Sequence, residues 1–541
     1  MSTHSSAAPA LLQVRDLNVS YTTAAGEVPA VRGVNLEVYP GDITAIVGES
    51  GSGKSTSAMA AIGLLASNAQ IDAGTISYQG RDITDLSNKQ WRQLRGTSIG
   101  LIPQDPNNSL NPLKTIGASV EEGMAIHGAG DAASRKARAL ELLERVGIDQ
   151  PERRYAQYPH ELSGGMKQRV LIAAALSLEP ELIIADEPTS ALDVTVQKVI
   201  LDLLDEMRRE TGVGILFITH DLAVAGDRAD RIVVMERGQV RESGQAVRVL
   251  TEPQHPYSRR LLADAPSLAT PASLRRPEPT GETILRVRDL TQRYGDFVAL
   301  DGVSFEVAKG STHALVGESG SGKTTTGRSI ALFNQPTSGS IELGGQELTG
   351  LGGKQQRAAR KRVQLVYQNP FSSLDPRQPI GEAIAEPLRN LAGASKVKVK
   401  RRAEEFLDLV ALDPKHYQRL PRELSGGQRQ RVAIARAMIV EPDLVVLDEA
   451  VSALDVTVQA QILHLLADLQ AELGLTYIFI SHDLAVVHQI SDTVSVLSHG
   501  RQVEAGRTAE VFARPQSEFT RTLIDAIPGS RYRAGAYNLG L

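Results

Sequence analysis

Two stretches of the chain carry residues suited to holding a polyphosphate. Gly48, Gly53, Lys54 and Ser55 stand in "GESGSGKST" (48–56), and Gly317, Gly322, Lys323 and Thr324 stand in "GESGSGKTT" (317–325), 269 residues further on. A G-x-x-x-x-G-K-[ST] loop between a strand and a helix points successive backbone N–H groups at phosphate, its lysine neutralises β/γ charge, and its hydroxyl ligates Mg²⁺. Ser50, Gly51 and Thr56 complete the first cradle, and Ser319, Gly320 and Thr325 the second. A single match can be an ordinary glycine turn, but two at equivalent places in a repeat are not.

Downstream, an apolar run ends in Asp186-Glu187 and again in Asp448-Glu449. The aspartates suit the shell of a magnesium ion, and the glutamates, one residue on, suit orienting or deprotonating an attacking water. An isolated "DE" reads as a solvated strand end; beside a phosphate loop it reads as chemistry.

The elements that must position these residues are repeated as well. "LLQVRDLNVSY" (11–21) matches "ILRVRDLTQRY" (284–294), "LSGGMKQRV" (162–170) matches "LSGGQRQRV" (424–432), and "LFITHDLAVA" matches "IFISHDLAVV". The chain is a duplicated domain with a period far above that of a solenoid. Apolar runs such as "ITAIVG", "LIIAD" and "ILFIT", with their counterparts, predict buried parallel strands, and "STSAMAAIGLL" and "SGGMKQRVLIAAALSL" predict helices. Alternating strands and helices imply an α/β sheet with nucleotide at the carboxyl ends of its strands. The segments from about Asp82 to Gln157 and Leu348 to Arg419 read as mostly helical subdomains.

The bulk numbers agree with two globular domains. The chain has 541 residues, 42% hydrophobic and 22% charged, too long for one core. With 58 Lys and Arg against 63 Asp and Glu and no long basic run, nucleic acid is not the expected partner. The absence of cysteine removes disulfides, thiolate zinc sites and Cys-ligated iron–sulfur clusters. The N-terminus does not read as a signal peptide, and no apolar run approaches the roughly 20 residues of a membrane helix. Expected boundaries are 11–263 and 284–528 for the two domains with their C-terminal extensions, 264–283 for a proline-rich linker and 529–541 for a tail. As a coil, a linker of about 20 residues spans roughly 25 Å, which allows the two domains to pair within one chain.

The order of phosphate loop, glutamine, "LSGG", "DE", "SALD" and histidine resembles the ATP-binding subunit family of ABC transporters over about 480 residues. That resemblance implies, for each half, a P-loop NTPase domain with a RecA-like core, an antiparallel β subdomain and a helical subdomain. It implies that Ser163, Gly164 and Gly165 close over the nucleotide on Lys323, and Ser425, Gly426 and Gly427 over that on Lys54, in a head-to-tail pairing. Gln104 and Gln368 are implied to touch Mg²⁺ or water, with Ser55, Asp186, Thr324 and Asp448 as the other metal contacts. Asp193 and Asp455 are implied to link the two sites, and Tyr21 and Tyr294 to stack on adenine. His220 and His482 are implied to contact γ-phosphate and the catalytic Glu187 and Glu449; a lone histidine after a strand is usually structural, but each lies 33 residues beyond its glutamate.

"QDPNNSLNP" (104–112), "QNPFSSLDP" (368–376) and "PQHPYSRRLL" (253–262) resemble the dipeptide, oligopeptide and nickel import branch; "RPQSEFTRTLIDAIP" (514–528) is a looser copy of the last. The implied function is ATP hydrolysis, by closure of the two domains, powering peptide import through two separate transmembrane permease subunits supplied by an extracytoplasmic solute-binding protein, with the chain peripheral at the cytoplasmic face of the inner membrane. Import of nickel, glutathione, opines or sugars is the nearer alternative, and a soluble twin ATPase acting on ribosomes or DNA the more distant one. Members of this branch that carry an iron–sulfur centre do so on cysteines this chain lacks, so ATP and Mg²⁺ are the expected cofactors. Departures between the halves, such as Met166 for Gln428 and Pro188-Thr189 for Ala450-Val451, predict sites of unequal rate.

Overall fold

The structure is a computed structural model that describes residues 9–24, 26–189, 192–268, 281–392, 395–452 and 454–529. Most of the expected linker and nearly all of the expected tail lie outside the described residues, as do Ser190, Ala191 and Ala453 of the "SALD" loops. The chain falls into two compact units, each with one six-stranded and one four-stranded sheet.

In the first unit the six-stranded sheet runs, edge to edge, Gln239–Gln245, Arg231–Glu236, Ile43–Val47, Gly214–Ile218, Leu182–Asp186 and Ile99–Ile102. All neighbours are parallel except the outermost pair, Arg231–Glu236 with Gln239–Gln245. The three inner runs ITAIV, GILFI and LIIAD are buried at every position, and successive residues serve opposite cores. Ile43, Ala45 and Val47 face a helical layer that includes Val170, Ile200 and Leu204, whereas Ile46 faces the four-stranded sheet. Continuous rather than alternating hydrophobicity is what a strand covered on both faces requires.

The four-stranded sheet is antiparallel, in the order Gly26–Val38, Leu12–Thr23, Ala69–Tyr78, Arg81–Asp82. Beyond Ile102 the chain enters short helices, Ile116–Ile126 and Ala132–Arg145 among them, before the helix Gly164–Ala175. Gly117 lies under the Tyr155 ring, where a Cβ would sit 2.2 Å from a ring carbon. Glycine is thus the residue that lets this helix and ring touch.

The second unit repeats both sheets. Its six strands follow the same order, from Arg501–Arg507 through Thr493–Ser498, Thr312–Gly317, Thr476–Ile480 and Leu444–Asp448 to Val363–Val366. Its antiparallel sheet is Phe297–Ala308, Thr283–Tyr294, Ser338–Leu343 and Gln346–Glu347.

Two sequence expectations need correction. The segments 82–157 and 348–419 are not wholly subdomain, because Ile99–Ile102 and Val363–Val366 are edge strands of the six-stranded sheets. The helix after the first loop spans Lys54–Ala61 and does not continue to Leu65. Gly63, at φ 62°, closes it: Gly63 N–H bonds to Ala60 O at 3.1 Å and Leu64 N–H to Met59 O at 2.8 Å, the paired bonds of a Schellman end.

Candidate active site

Four neighbouring strands of the first sheet deliver the candidate residues from their carboxyl ends. Ile43–Val47 leads to the loop and Lys54, Gly214–Ile218 to His220, Leu182–Asp186 ends on Asp186 and Glu187, and Ile99–Ile102 leads to Gln104. The second sheet delivers Lys323, His482, Asp448-Glu449 and Gln368 in the same way.

The loop glycines have distinct reasons. Gly48 has φ 151°, and a Cβ there would lie 2.1 Å from Met235 O; Gly53 has φ 97°, with a Cβ 2.8 Å from Ala30 O. Gly51 has φ 76° with open space beside it. Gly317, Gly322 and Gly320 repeat these conformations. Lys54 Nζ donates to the carbonyls of Gly48 at 2.7 Å and Glu49 at 2.9 Å, and Lys323 Nζ to those of Gly317 at 2.8 Å and Glu318 at 2.7 Å. Both ammonium groups are buried, and burial lowers the pKa of Lys323. A buried ammonium resting on carbonyl oxygens suits an incoming phosphate.

Ser55 Oγ donates to Asp186 Oδ1 at 2.9 Å, and Thr324 Oγ1 to Asp448 Oδ1 at 3.0 Å. Burial raises the pKa of both aspartates against the pull of those hydroxyls. A buried carboxylate paired with a hydroxyl is an all-oxygen donor set of the kind a hard divalent cation takes, so these residues fit Mg²⁺.

Glu187 sits between two partners. Gln104 Nε2 donates to its Oε2 at 2.9 Å, and His220 Nδ1 lies 3.3 Å from the same oxygen. In the second unit Gln368 donates to Glu449 at 2.6 Å, and His482 lies 3.5 Å away. Burial disfavours the charged glutamates, but the histidines, with Lys54 or Lys323 and the glutamines, outweigh it and hold both carboxyls below their usual range. The histidines are raised in turn: burial opposes the imidazolium, and the glutamates win. Glu187 has φ 45° and Glu449 φ 48°, a left-handed conformation that costs a non-glycine residue about 1–2 kcal/mol and fixes where the side chain points.

The signature residues stand apart from these clusters. Ser163 and Ser425 cap the helices Gly164–Ala175 and Gly426–Met438 at exposed N-termini. Among the described residues, neither makes a hydrogen bond to the phosphate loop of its own half. Gly165 and Gly427 are required by packing, since a Cβ would meet Val196 at 2.7 Å or Val458 at 2.5 Å, while Gly164 and Gly426 face open space. Asp193 accepts from Thr195 Oγ1 at 2.8 Å, and Asp455 caps the helix Val456–Leu473. Tyr21 OH lies 3.2 Å from Thr56 Oγ1, which ties its ring to the first loop; Tyr294 OH instead accepts from Asn334 at 3.2 Å. Sequence reasoning missed Tyr257, whose hydroxyl accepts the N–H of Glu49 inside the first loop at 3.2 Å. The "HPY" stretch was its signal, though nothing in the sequence places it against the loop.

The profile of the family described as "ABC transporter" matches residues 31–190 and 300–452, which contain the lysines, carboxylates and glutamines of both clusters but not His220 or His482. The chain belongs to the ABC transporter family. A second profile, "Oligopeptide/dipeptide transporter, C-terminal region", matches residues 241–291. This ABC ATPase is 40% identical to the oligopeptide transport ATP-binding protein OppD of Mycobacterium tuberculosis, covering 96% of this chain and 98% of the relative. It is 44% identical to the peptidoglycan transport ATP-binding protein YejF of Agrobacterium fabrum, over 95% and 96% of the two chains. It is 40% identical to the glutathione import ATP-binding protein GsiA of Shigella dysenteriae, over 96% and 89%. The two ABC domains bind ATP and hydrolyse it. No helix among the described residues is long and apolar enough to cross a membrane.

Proposed function

We propose that this chain powers the import of di- or oligopeptides through a separate membrane permease, by ATP-driven pairing of its two nucleotide-binding domains. The observation that carries the reading is the double set of complete clusters: each half holds its own lysine, carboxylates, glutamine and histidine, while among the described residues neither exposed signature serine makes a hydrogen bond to the phosphate loop of its own half. A site that lacks its lid within one half needs the other half, so Ser163, Gly164 and Gly165 serve the nucleotide on Lys323, and Ser425, Gly426 and Gly427 that on Lys54. Domain boundaries at 11–263 and 284–528, with a linker at 264–283, give each half its C-terminal extension.

Mg²⁺ bound with the nucleotide would neutralise charge on the β and γ phosphates. Ser55, Asp186 and Gln104 would hold it in one site, and Thr324, Asp448 and Gln368 in the other. The amides of 50–56 and 319–325 bind the phosphates, and Lys54 and Lys323 balance their charge. Glu187 and Glu449 orient water, each kept ionised and in place by its histidine and glutamine. Nucleotide favours the closed pair because it binds that form better, the only way a ligand shifts such an equilibrium. Hydrolysis then removes the bridge.

Partners on this reading are two transmembrane permease subunits and an extracytoplasmic solute-binding protein, with the chain peripheral at the cytoplasmic face of the inner membrane. Support for peptide cargo is the match to the oligopeptide/dipeptide C-terminal region and the names of the relatives. The test is reconstitution with the permease subunits and binding protein in liposomes. ATPase stimulation and uptake with peptides supports the proposal; stimulation by glutathione or nickel alone, or by ribosomes or DNA without the permease, overturns it.

A further inference from the structure

The C-terminal extension of the first half grips its phosphate loop through Tyr257, whereas among the described residues Phe519, at the corresponding place in the second, makes no hydrogen bond to its loop. Both extensions are clamped alike at their start. Glu242 accepts the N–H groups of Gln254 at 2.8 Å and His255 at 3.1 Å, and Glu504 accepts those of Gln516 at 2.9 Å and Ser517 at 3.0 Å. The helices Pro256–Asp264 and Glu518–Asp525 follow. From there the copies part.

Tyr257, buried on the first helix, accepts the N–H of Glu49 at 3.2 Å. That N–H and the Gly48 carbonyl belong to one peptide unit, and the Gly48 carbonyl accepts Lys54 Nζ at 2.7 Å. Tyrosine and lysine therefore hold opposite ends of a single rigid plane. Gly48 is the residue whose freedom would otherwise let that plane rotate. Arg260, one turn on, lies over the Tyr257 ring at 5.2 Å and within 3.6 Å of the Glu49 carboxylate and 3.5 Å of Glu236. Arg241 also pairs with Glu236, at 3.0 Å. Burial keeps the Tyr257 phenol neutral, its pKa pushed up to about 12. At the corresponding places the second half has Phe519, Thr522, Ser498 and Val503. Phenylalanine offers no hydroxyl, and the Thr522 hydroxyl turns back on its own helix, to Glu518 O at 3.0 Å.

We propose that Tyr257 is a positioning residue for the first nucleotide site: it fixes the Gly48–Glu49 peptide and with it the seat of Lys54, while the second site works without such a latch. The inference rests on the proposed reading of Lys54 and Lys323 as phosphate ligands. Its consequence is that whatever displaces the first extension loosens nucleotide at Lys54 only.

The test is binding of a fluorescent ATP analogue to the full chain, with Lys323→Ala to isolate the first site and Lys54→Ala to isolate the second. Tyr257→Phe keeps the ring and removes the hydroxyl. It should weaken the first site 2- to 10-fold, the range for one neutral hydrogen bond, and leave the second unchanged. Amide hydrogen exchange in the peptide holding Glu49 should quicken in Tyr257→Phe, and nucleotide should protect residues 253–264 in the parent but less in the variant. Arg260→Ala, which leaves the hydroxyl in place, should give a smaller loss confined to the first site. Equal weakening at both sites, or unchanged first-site affinity with unchanged Glu49 exchange, overturns the latch. If the Lys54→Ala, Lys323→Ala chain still binds the analogue as the parent does, the reading of the loops fails, and the latch with it.

Discussion

Gln104 and Glu187, 83 residues apart in the chain, share a 2.9 Å hydrogen bond at the edge of the first six-stranded sheet. The glutamate oxygen that accepts it is the one facing His220. One carboxylate is thus oriented from two strands at once, and Gln368, Glu449 and His482 repeat the arrangement.

Replacing Glu187 and Glu449 together with glutamine should lower ATP turnover about 10²- to 10⁴-fold, the usual contribution of a positioned base, while two nucleotides stay bound. Single-turnover hydrolysis and nucleotide content after gel filtration measure this. Sustained turnover in the double variant would remove the assignment of these glutamates to water.

The Glu–His pairs give stability a definite pH dependence. The folded pKa of His220 lies above its unfolded value, so its contribution is full below about pH 6.5 and fades as pH rises through the raised value. Glu187 is lowered, so its contribution is full above about pH 4.5 and is lost as pH falls through the lowered value. The melting-temperature gap between the parent and a His220→Gln, His482→Gln chain should therefore be widest near pH 5–6.5 and narrow toward alkaline pH. A gap that does not narrow as pH rises from 6.5 into the alkaline range would contradict the pairing.

His313 acts in the opposite sense. It is buried in the strand Thr312–Gly317, stacked 4.5 Å from Phe305, with Thr493 and Ser495 hydroxyls on its two ring nitrogens, and burial depresses its pKa to about 3. The unfolded chain takes up the proton first, so stability falls as pH drops below about 6.5, by about 2 kcal/mol between pH 7 and pH 5. His313→Thr, the residue type of Thr44 at the equivalent place, should flatten that slope in calorimetry of the full chain.

The two signature helices differ in their caps. Ser425 Oγ accepts Gln428 N–H at 3.3 Å while Gln428 Oε1 accepts Ser425 N–H at 3.0 Å; in the first half Met166 cannot return the bond. Met166→Gln should stabilise the first unit by about 0.5–1 kcal/mol, and Gln428→Met should cost the second a similar amount. Chemical denaturation of the full chain reads both.

The inner strands were legible because burial on both faces leaves an unbroken apolar run, and the loops because their glycines are dictated by backbone angle. The edge strands Ile99–Ile102 and Val363–Val366 were not legible: they are four residues long, and Gly100 and Gln364 interrupt them. A helical reading of their surroundings absorbed them, although Gln104 and Gln368 depend on them for position. Duplication supplied what single motifs lack, since a histidine or a "DE" gains meaning by recurring at one spacing. Differences between copies are the reverse case: the effect of Phe519 for Tyr257 is visible only once the fold sets the extension against the loop.

The left-handed backbone at Glu187 and Glu449 also limits how either half can drift. Side chains branched at Cβ, such as valine, isoleucine and threonine, are strongly disfavoured there by their own substituents, so a half that abandoned hydrolysis would pass through residues unbranched at Cβ, the kind that hold the same backbone at Gln79, Arg237, Leu332 and Ala411. Retired copies of this module should therefore lack Cβ-branched residues at that one position, a scar recognisable without any assay.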